Sequence, residues 1–313
     1  MSPEMARAAV DFAFSTPRPT IRLEIVGAEG AGRQAGWLAV EYARRKAEWR
    51  GRGLALSWRT ARRPAAEQSA WLAANRVEVV ADVRAVGGPE RSQLFPAARA
   101  RVRLARGAAC PESWIDALAS LGVSQVSWEP DVVATDWPAP GSARRAAKFA
   151  ARALARLIET HERSGLRDER AVALLSFRPW EIPGTDLLST LAYSPEGGIY
   201  SSEAGYRRAE EENNSRRLGF FEVTRFSQFA SMPTVQAILA AAWRAGHPEC
   251  SDCPYREQCS LPWSRKSCGR GGPAHAWCAL HTALMRGIFS YPDREKCISA
   301  LNKWGVDISR IAW

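Results

Sequence analysis

An α/β fold followed by a small cysteine-rich domain is predicted by three observations. Short β-like runs alternate with helix-like segments over the first 137 residues, the stretch Trp137-Pro138-Ala139-Pro140-Gly141 then breaks that rhythm, and six of the seven cysteines fall between Cys250 and Cys297. A β–α–β–α order implies a parallel sheet, or part of an α/β barrel, with its helices outside. The expected boundaries are residues 1–183 for the α/β domain and 184–313 for the cysteine-rich one.

The first strand is Arg22-Leu23-Glu24-Ile25-Val26, ending in Gly27-Ala28-Glu29-Gly30, and a helix follows from Ala35 to Trp49. Leu54 to Trp58 is the second strand, Ala65 to Ala74 the second helix, and Val77 to Ala81 the third strand. Arg101-Val102-Arg103-Leu104 alternates polar and apolar residues, as a fourth strand would. Ser113 to Leu121 reads as helix and Val123 to Trp128 as a fifth strand. A long helix is expected from Ser142, its N-cap, to Ser164. Its apolar side carries Phe149, Leu154, Leu157 and Ile158; Arg144, Lys148, Arg152 and Arg156 recur at i+4 along another side. That basic stripe is either a solvated face or a docking face for an acidic partner. Leu191 to Tyr200 reads as a hairpin turning at Pro195-Glu196-Gly197-Gly198. Arg207 to Arg217 reads as a charged loop, and Val235 to Ala245 as a helix leading into the cysteines.

With 46% hydrophobic residues in 313, the chain can bury a core and is not a disordered or collagen-like sequence. No apolar run is long enough to span a membrane, and the N-terminal segment lacks the pattern of a secretory signal, so a cytoplasmic location and no membrane partner are expected. The net charge of +10 is spread from Arg7 to Arg310 and reads as solvated surface. Together with thirteen tryptophans it leaves a nucleic-acid-binding role open but not favoured.

The cysteines carry more information. Cys250, Cys253 and Cys259 form C-x2-C-x5-C, and Cys268 and Cys278 follow. Such a knuckle lets two thiolates reach one metal, with a third and a distant fourth completing the set. Four soft thiolates suit a 4Fe-4S cluster; a structural zinc would accept the same ligands, with His247, His275 or His281 as substitutes. Spacing alone does not choose iron from zinc. Elsewhere Gly27 to Gly32 is glycine-rich but lacks both the dinucleotide spacing and a phosphate-loop lysine. Glu29 and Asp82 are candidate paired carboxylates at strand ends, or satisfied structural acids.

The segment C-x2-C-P-Y-R-x3-C, preceded by S-P-E-G-G-I-Y-S-S-E, resembles the SPASM domain of radical SAM peptide maturases. Upstream, I-R-L-E-I-V-G-A-E-G resembles the strand carrying that family's SAM-binding G-G-E-P motif, which would make Gly27 and Glu29 its remnant. The His-Xaa-Ser peptide maturases are the most similar branch, through Ile199 to Arg207 and through Cys278, His281 and Phe289. The resemblance covers roughly residues 8 to 292. It implies a partial (β/α) radical-SAM-like barrel followed by a SPASM-like domain.

Departures from the family shape the functional expectation. The C-x3-C-x2-C loop that holds the SAM-activating cluster is absent from these 313 residues, and the alignment starts beyond it. Of two auxiliary cluster sites in the family, one has lost its ligands: Ser202 and Trp263 stand at two of those positions. The other keeps Cys250, Cys253, Cys259 and, by position, Cys278, with Cys268 the alternative fourth ligand. The resemblance therefore implies one 4Fe-4S cluster, with zinc the alternative, no use of SAM, and a catalytically degenerate protein. Its role would be that of partner or peptide-binding subunit to an active radical SAM maturase, or to the precursor of a ribosomally made peptide. An enzyme of altered chemistry, binding nucleotide or peptide in the barrel, is the alternative.

Overall fold

The computed structural model describes residues 1–27, 32–89, 94–105, 108, 110–130, 141–176, 191–200, 217–222, 225–237, 253–255 and 273–311. Helix α1 (Pro3–Phe14) comes first, followed by β1 (Thr20–Val26), α2 (Gly32–Arg50), β2 (Gly53–Thr60), α3 (Ala66–Ala74) and β3 (Glu78–Ala85). Then come β4 (Arg99–Leu104), α4 (Pro111–Ser120), β5 (Gln125–Pro130), α5 (Ser142–Ser164), β6 (Arg167–Asp168) and α6 (Glu169–Ser176). These six strands form one sheet in the order β1-β2-β3-β4-β5-β6, with parallel pairing in the registers that are resolved. Strands in chain order, joined by helices, are the layout of an α/β barrel or an arc of one. The chain divides into two compact units.

One unit comprises Met1–Thr60, Pro64–Val79 and Ile182–Arg244. It adds a three-stranded antiparallel sheet, β7 (Ala192–Tyr193), β8 (Gly198–Tyr200) and β9 (Gly219–Phe220), and helix α7 (Phe226–Ala230). The hairpin expected at Pro195–Gly198 is present: Ser194 N–H donates to Gly198 O, and Gly197 takes φ +88°, where a side chain would be strained. Helix α1 was not expected from the sequence. Yet Ser2 caps it by accepting from Met5 N–H, Pro3 fills the first turn, and Glu4 follows, which is a standard helix start. Both sides of α1 are apolar. Val10 and Phe14 join Ile21, Val40, Leu56 and Trp58 in one cluster; Ala9 and Phe12 join Ile199, Phe221 and Phe229 in another. Phe12 meets Tyr193, Phe226 and Phe229 edge-on, with centroids 5.9, 6.1 and 5.5 Å away.

The other unit comprises Ala61–Arg63, Val80–Glu181 and Ala245–Trp313. It carries most of β3, all of β4 to β6, and two further helices, α8 (Pro273–Phe289) and α9 (Arg294–Lys303). Helix α5 is its spine: Phe149, Leu154, Leu157 and Ile158 are buried as the periodicity predicts, and α4, α8 and α9 pack on it. A Cβ on Gly287 of α8 would sit 3.0 Å from Leu154, so the two helices meet closely there. His161 ties α5 to α9, with Nδ1 2.7 Å from Ile158 O and Nε2 3.2 Å from Ser299 Oγ. The cap of α5 differs from expectation: Ser142 is the first helical residue, and Gly141, with φ +79°, occupies the capping position. The basic stripe is partly bound within the unit. Arg152 grips Glu112 through two hydrogen bonds of 3.1 and 2.9 Å, and Arg156 holds Asp116 at 3.1 Å, both acids on α4. The helix expected from Val235 falls mostly outside the described residues.

Candidate functional site

Residues alternate across a strand, so a sheet in this arrangement has one face toward the helices and one away from them. In the second unit the contrast between the faces is sharp. Ala81, Val83 and Ala85 of β3, Ala100, Val102 and Leu104 of β4, and Val126 and Trp128 of β5 are buried apolar positions in mutual register. The alternate positions are charged: Asp82 and Arg84 on β3, Arg99, Arg101 and Arg103 on β4, and Glu129 on β5.

These charges are bound diagonally. Arg103 Nε donates to Asp82 Oδ1 at 2.8 Å, while Arg101 donates to Glu129 Oε2. Glu129 Oε1 accepts from Arg170 of α6 at 3.1 Å, and Arg99 Nη1 reaches Glu169 Oε1 at 3.2 Å. Both carboxylates on the strands are nearly buried, Asp82 and Glu129 at 8% exposure each, whereas the arginines keep part of their surface in water. Glu129, forked between the guanidiniums of Arg101 and Arg170, is held in place. Asp82 is thus a satisfied acid, one of the two readings open for it; its suggested companion Glu29 lies outside the described residues.

At the start of α6, Asp168 is wholly buried. Its Oδ1 accepts the backbone N–H groups of Arg170 and Ala171, each at 2.9 Å, capping the helix, while Oδ2 has no hydrogen-bond partner among the described residues. Burial outweighs those bonds and the nearby Arg170 charge, and pushes the carboxyl up to about 6.

In the first unit, Arg59 at the end of β2 is buried and pairs with Glu24 of β1 at 3.1 Å. Gly27 directly follows β1 with φ +64°, a conformation that favours glycine where the strand turns away.

Of the metal-ligand candidates, Cys253 and Cys278 are described, and both are half-buried. Cys250, Cys259 and Cys268 lie outside the described residues, as do His247 and the side chain of His275. Tyr255, two residues past Cys253, stacks on Phe289 of α8 with centroids 6.0 Å apart and planes at 12°. Cys278 and His281 stand at i and i+3 on α8, neighbouring positions on a helix surface, and His281 is buried. Among the described residues, no group of three potential ligands converges on a metal position. Two cysteines fall outside the ligand set: Cys110 is exposed, and burial pushes the Cys297 thiol up to about 11, so it stays protonated in the core.

Against solved structures the chain is similar to anSMEcpe, a SPASM-domain radical SAM maturase. Native anSMEcpe with bound AdoMet matches with a TM-score of 0.66 and 12% identity, over 96% of this chain and 90% of that one. The form with bound AdoMet and Kp18Cys peptide matches at 0.69 and 12%, over 96% and 91%. The form with AdoMet and Cp18Cys peptide matches at 0.66 and 11%, over 96% and 91%. The chain has a partial radical SAM fold. No protein-family model and no curated protein matches it.

Within that radical SAM fold, the charged face of β3 to β5 was not singled out by sequence reasoning. The signal existed in Arg99, Arg101 and Arg103, three arginines at every second position of one strand. Alternation marked the segment as a strand, but not its arginines as partners of acids 21 and 28 residues away. No helix among the described residues is long and apolar enough to cross a membrane.

Proposed function

We propose that this chain is a catalytically degenerate SPASM-type protein that binds one 4Fe-4S cluster and serves peptide maturation as a partner or peptide-binding subunit. The observation that carries this reading is a contrast. A radical SAM fold goes with a complete C-x2-C-x5-C…C ligand set, yet the 313 residues contain no C-x3-C-x2-C motif. Without that motif nothing in the sequence would hold the iron that reduces SAM.

The donor set fits the inferred cluster. Cys250, Cys253, Cys259 and Cys278 would supply four soft thiolates, and the two that are described are half-buried, as ligands near a protein surface are. When bound, such a cluster supplies one-electron transfer or an iron that orients a ligand. A zinc held by the same thiolates, with His281 beside Cys278 as a possible replacement, is the alternative occupant. The neighbour anSMEcpe has been seen with AdoMet and with peptides bound, which supports a peptide as this protein's ligand as well.

The test is co-purification. Full-length tagged protein, prepared without oxygen, should retain a radical SAM protein or a precursor peptide encoded beside it. Failure to retain either overturns the partner role.

A further inference from the structure

We infer that Asp168 is the trigger of a pH-sensitive latch on helix α6. Its ionisation at neutral pH loosens the start of that helix and so releases two ion pairs that tie α6 to the sheet. The inference concerns the second unit alone and depends neither on the cluster nor on a peptide.

Three features of the geometry carry it. First, Asp168 is wholly buried, yet its hydrogen bonds use Oδ1 alone, which accepts the N–H groups of Arg170 and Ala171; Oδ2 has no partner among the described residues. An ionised carboxylate in that position leaves a charged oxygen unsolvated, a cost that the protonated carboxyl avoids. Second, the segment that Asp168 caps is short. Strand β6 has two residues, set against β5 at Arg167 with Gln125 and Asp168 with Val126, and α6 has eight. A helix of that length depends on its cap and its packing. Third, the first turn of α6 carries the ties to the sheet. Glu169 Oε1 accepts from Arg99 Nη1 of β4 at 3.2 Å, and Arg170 Nη2 donates to Glu129 Oε1 of β5 at 3.1 Å. When that turn unwinds to let water reach Oδ2, both residues move with it.

The surroundings set the direction of the response. Burial is the largest influence on the carboxyl and raises it to about 6, against the lowering effect of the Ala171 and Arg170 N–H groups and the Arg170 charge; Glu169 also raises it. Arg167, its neighbour on β6, donates instead to Trp304 O at 3.3 Å. On β5, Val126 stands in register with Asp168 between Gln125 and Ser127, none of them charged. Helices α5 and α8 pack on β6 and α6 and bring His161 and His281 into the buried layer. Among the described residues, Arg170 and Glu169 are the charges that act on Asp168. With the closed value raised above the 3.8 of a hydrated Asp, the closed latch is favoured at low pH and loses that advantage as pH rises to about 6.

The experiment is hydrogen–deuterium exchange on the intact chain, read by mass spectrometry in segments covering α6 and α5 and corrected for the base catalysis of exchange itself. The opening constant of α6 should rise about tenfold between about pH 5 and pH 7.5 and level off above about pH 6. At the upper pH it should exceed that of α5 by about tenfold or more, because α6 opens without the rest of the unit. Asp168→Asn keeps an acceptor for the cap but does not ionise, and should give a flat profile. Asp168→Ser, another capping residue without a titrating group, should do the same and serves if the Asn variant does not fold. A flat profile in the wild type overturns the inference, as does an unchanged rise in either variant. Equal opening constants for α6 and α5 at every pH also overturn it, since the ionisation would then act on the whole unit and not on a latch.

Discussion

Arg103 and Asp82 are joined across two adjacent parallel strands, with Nε 2.8 Å from Oδ1, although the register sets Asp82 opposite Arg101 and Arg103 opposite Arg84. Asp82 is 8% exposed, so its charge is held mostly out of water beside this partner. Asp82→Asn is therefore expected to cost about 2 kcal/mol, because a partly buried guanidinium loses its counter-charge. Denaturant unfolding of Asp82→Asn, Arg103→Gln and the double variant should give a coupling of about 1–2 kcal/mol. Additive losses would show that the pair contributes nothing of its own.

Asp168 predicts a pH dependence of stability. Burial pushes its carboxyl up to about 6, above the 3.8 of an unperturbed Asp, so the folded state binds the proton more tightly than the unfolded state. Its contribution to stability is thus greatest below about pH 4 and is lost as pH rises through about 6. A gap of about two pKa units corresponds to about 3 kcal/mol. Asp168→Asn keeps an oxygen to accept the Arg170 and Ala171 N–H groups but does not ionise. Relative to the wild type it should gain about 3 kcal/mol between pH 4 and pH 8, measured by urea unfolding. A constant difference across that range would show that the buried acid does not titrate there.

The hairpin offers a backbone test. Gly197 has φ +88°, and a Cβ on Gly198 would meet Tyr200 Oη at 2.8 Å and Ser194 Oγ at 3.1 Å. Gly197→Ala should cost about 1–2 kcal/mol from backbone strain alone. Gly198→Ala, which carries no such strain, should cost more because its Cβ displaces the buried Tyr200 ring. Thermal unfolding of the two variants orders them. Equal melting temperatures would contradict the packing argument.

The parallel sheet was legible because its strands are rich in Val, Ile, Leu and Trp and are separated by amphipathic helices; β1, β2 and β4 contain the predicted runs and are two or three residues longer, whereas β3 and β5 start one and two residues later than predicted and end four and two residues beyond. The two-residue β6 and the cap of α5 were not legible. A strand that short has no periodicity, and Gly141 caps through a left-handed backbone rather than through a side chain. Helix α1 carried a readable start at Ser2-Pro3-Glu4, but it is apolar on two sides and shows no single stripe. The C-x2-C-x5-C motif proposed to bind a metal is a local spacing that the sequence displays without the fold. The Glu129 fork is not, because its arginines come from positions 28 residues before it and 41 after it, and only the fold brings them together.

The central claim, that four thiolates in the C-terminal region hold one iron–sulfur cluster in a chain that does not cleave SAM, is tested most directly by composition. Protein purified without oxygen should contain about four irons and four sulfides per chain and show a broad visible absorbance that Cys253→Ala or Cys278→Ala abolishes. Metal-free protein whose cysteines all react with a thiol reagent, or protein that cleaves SAM unaided, would contradict it.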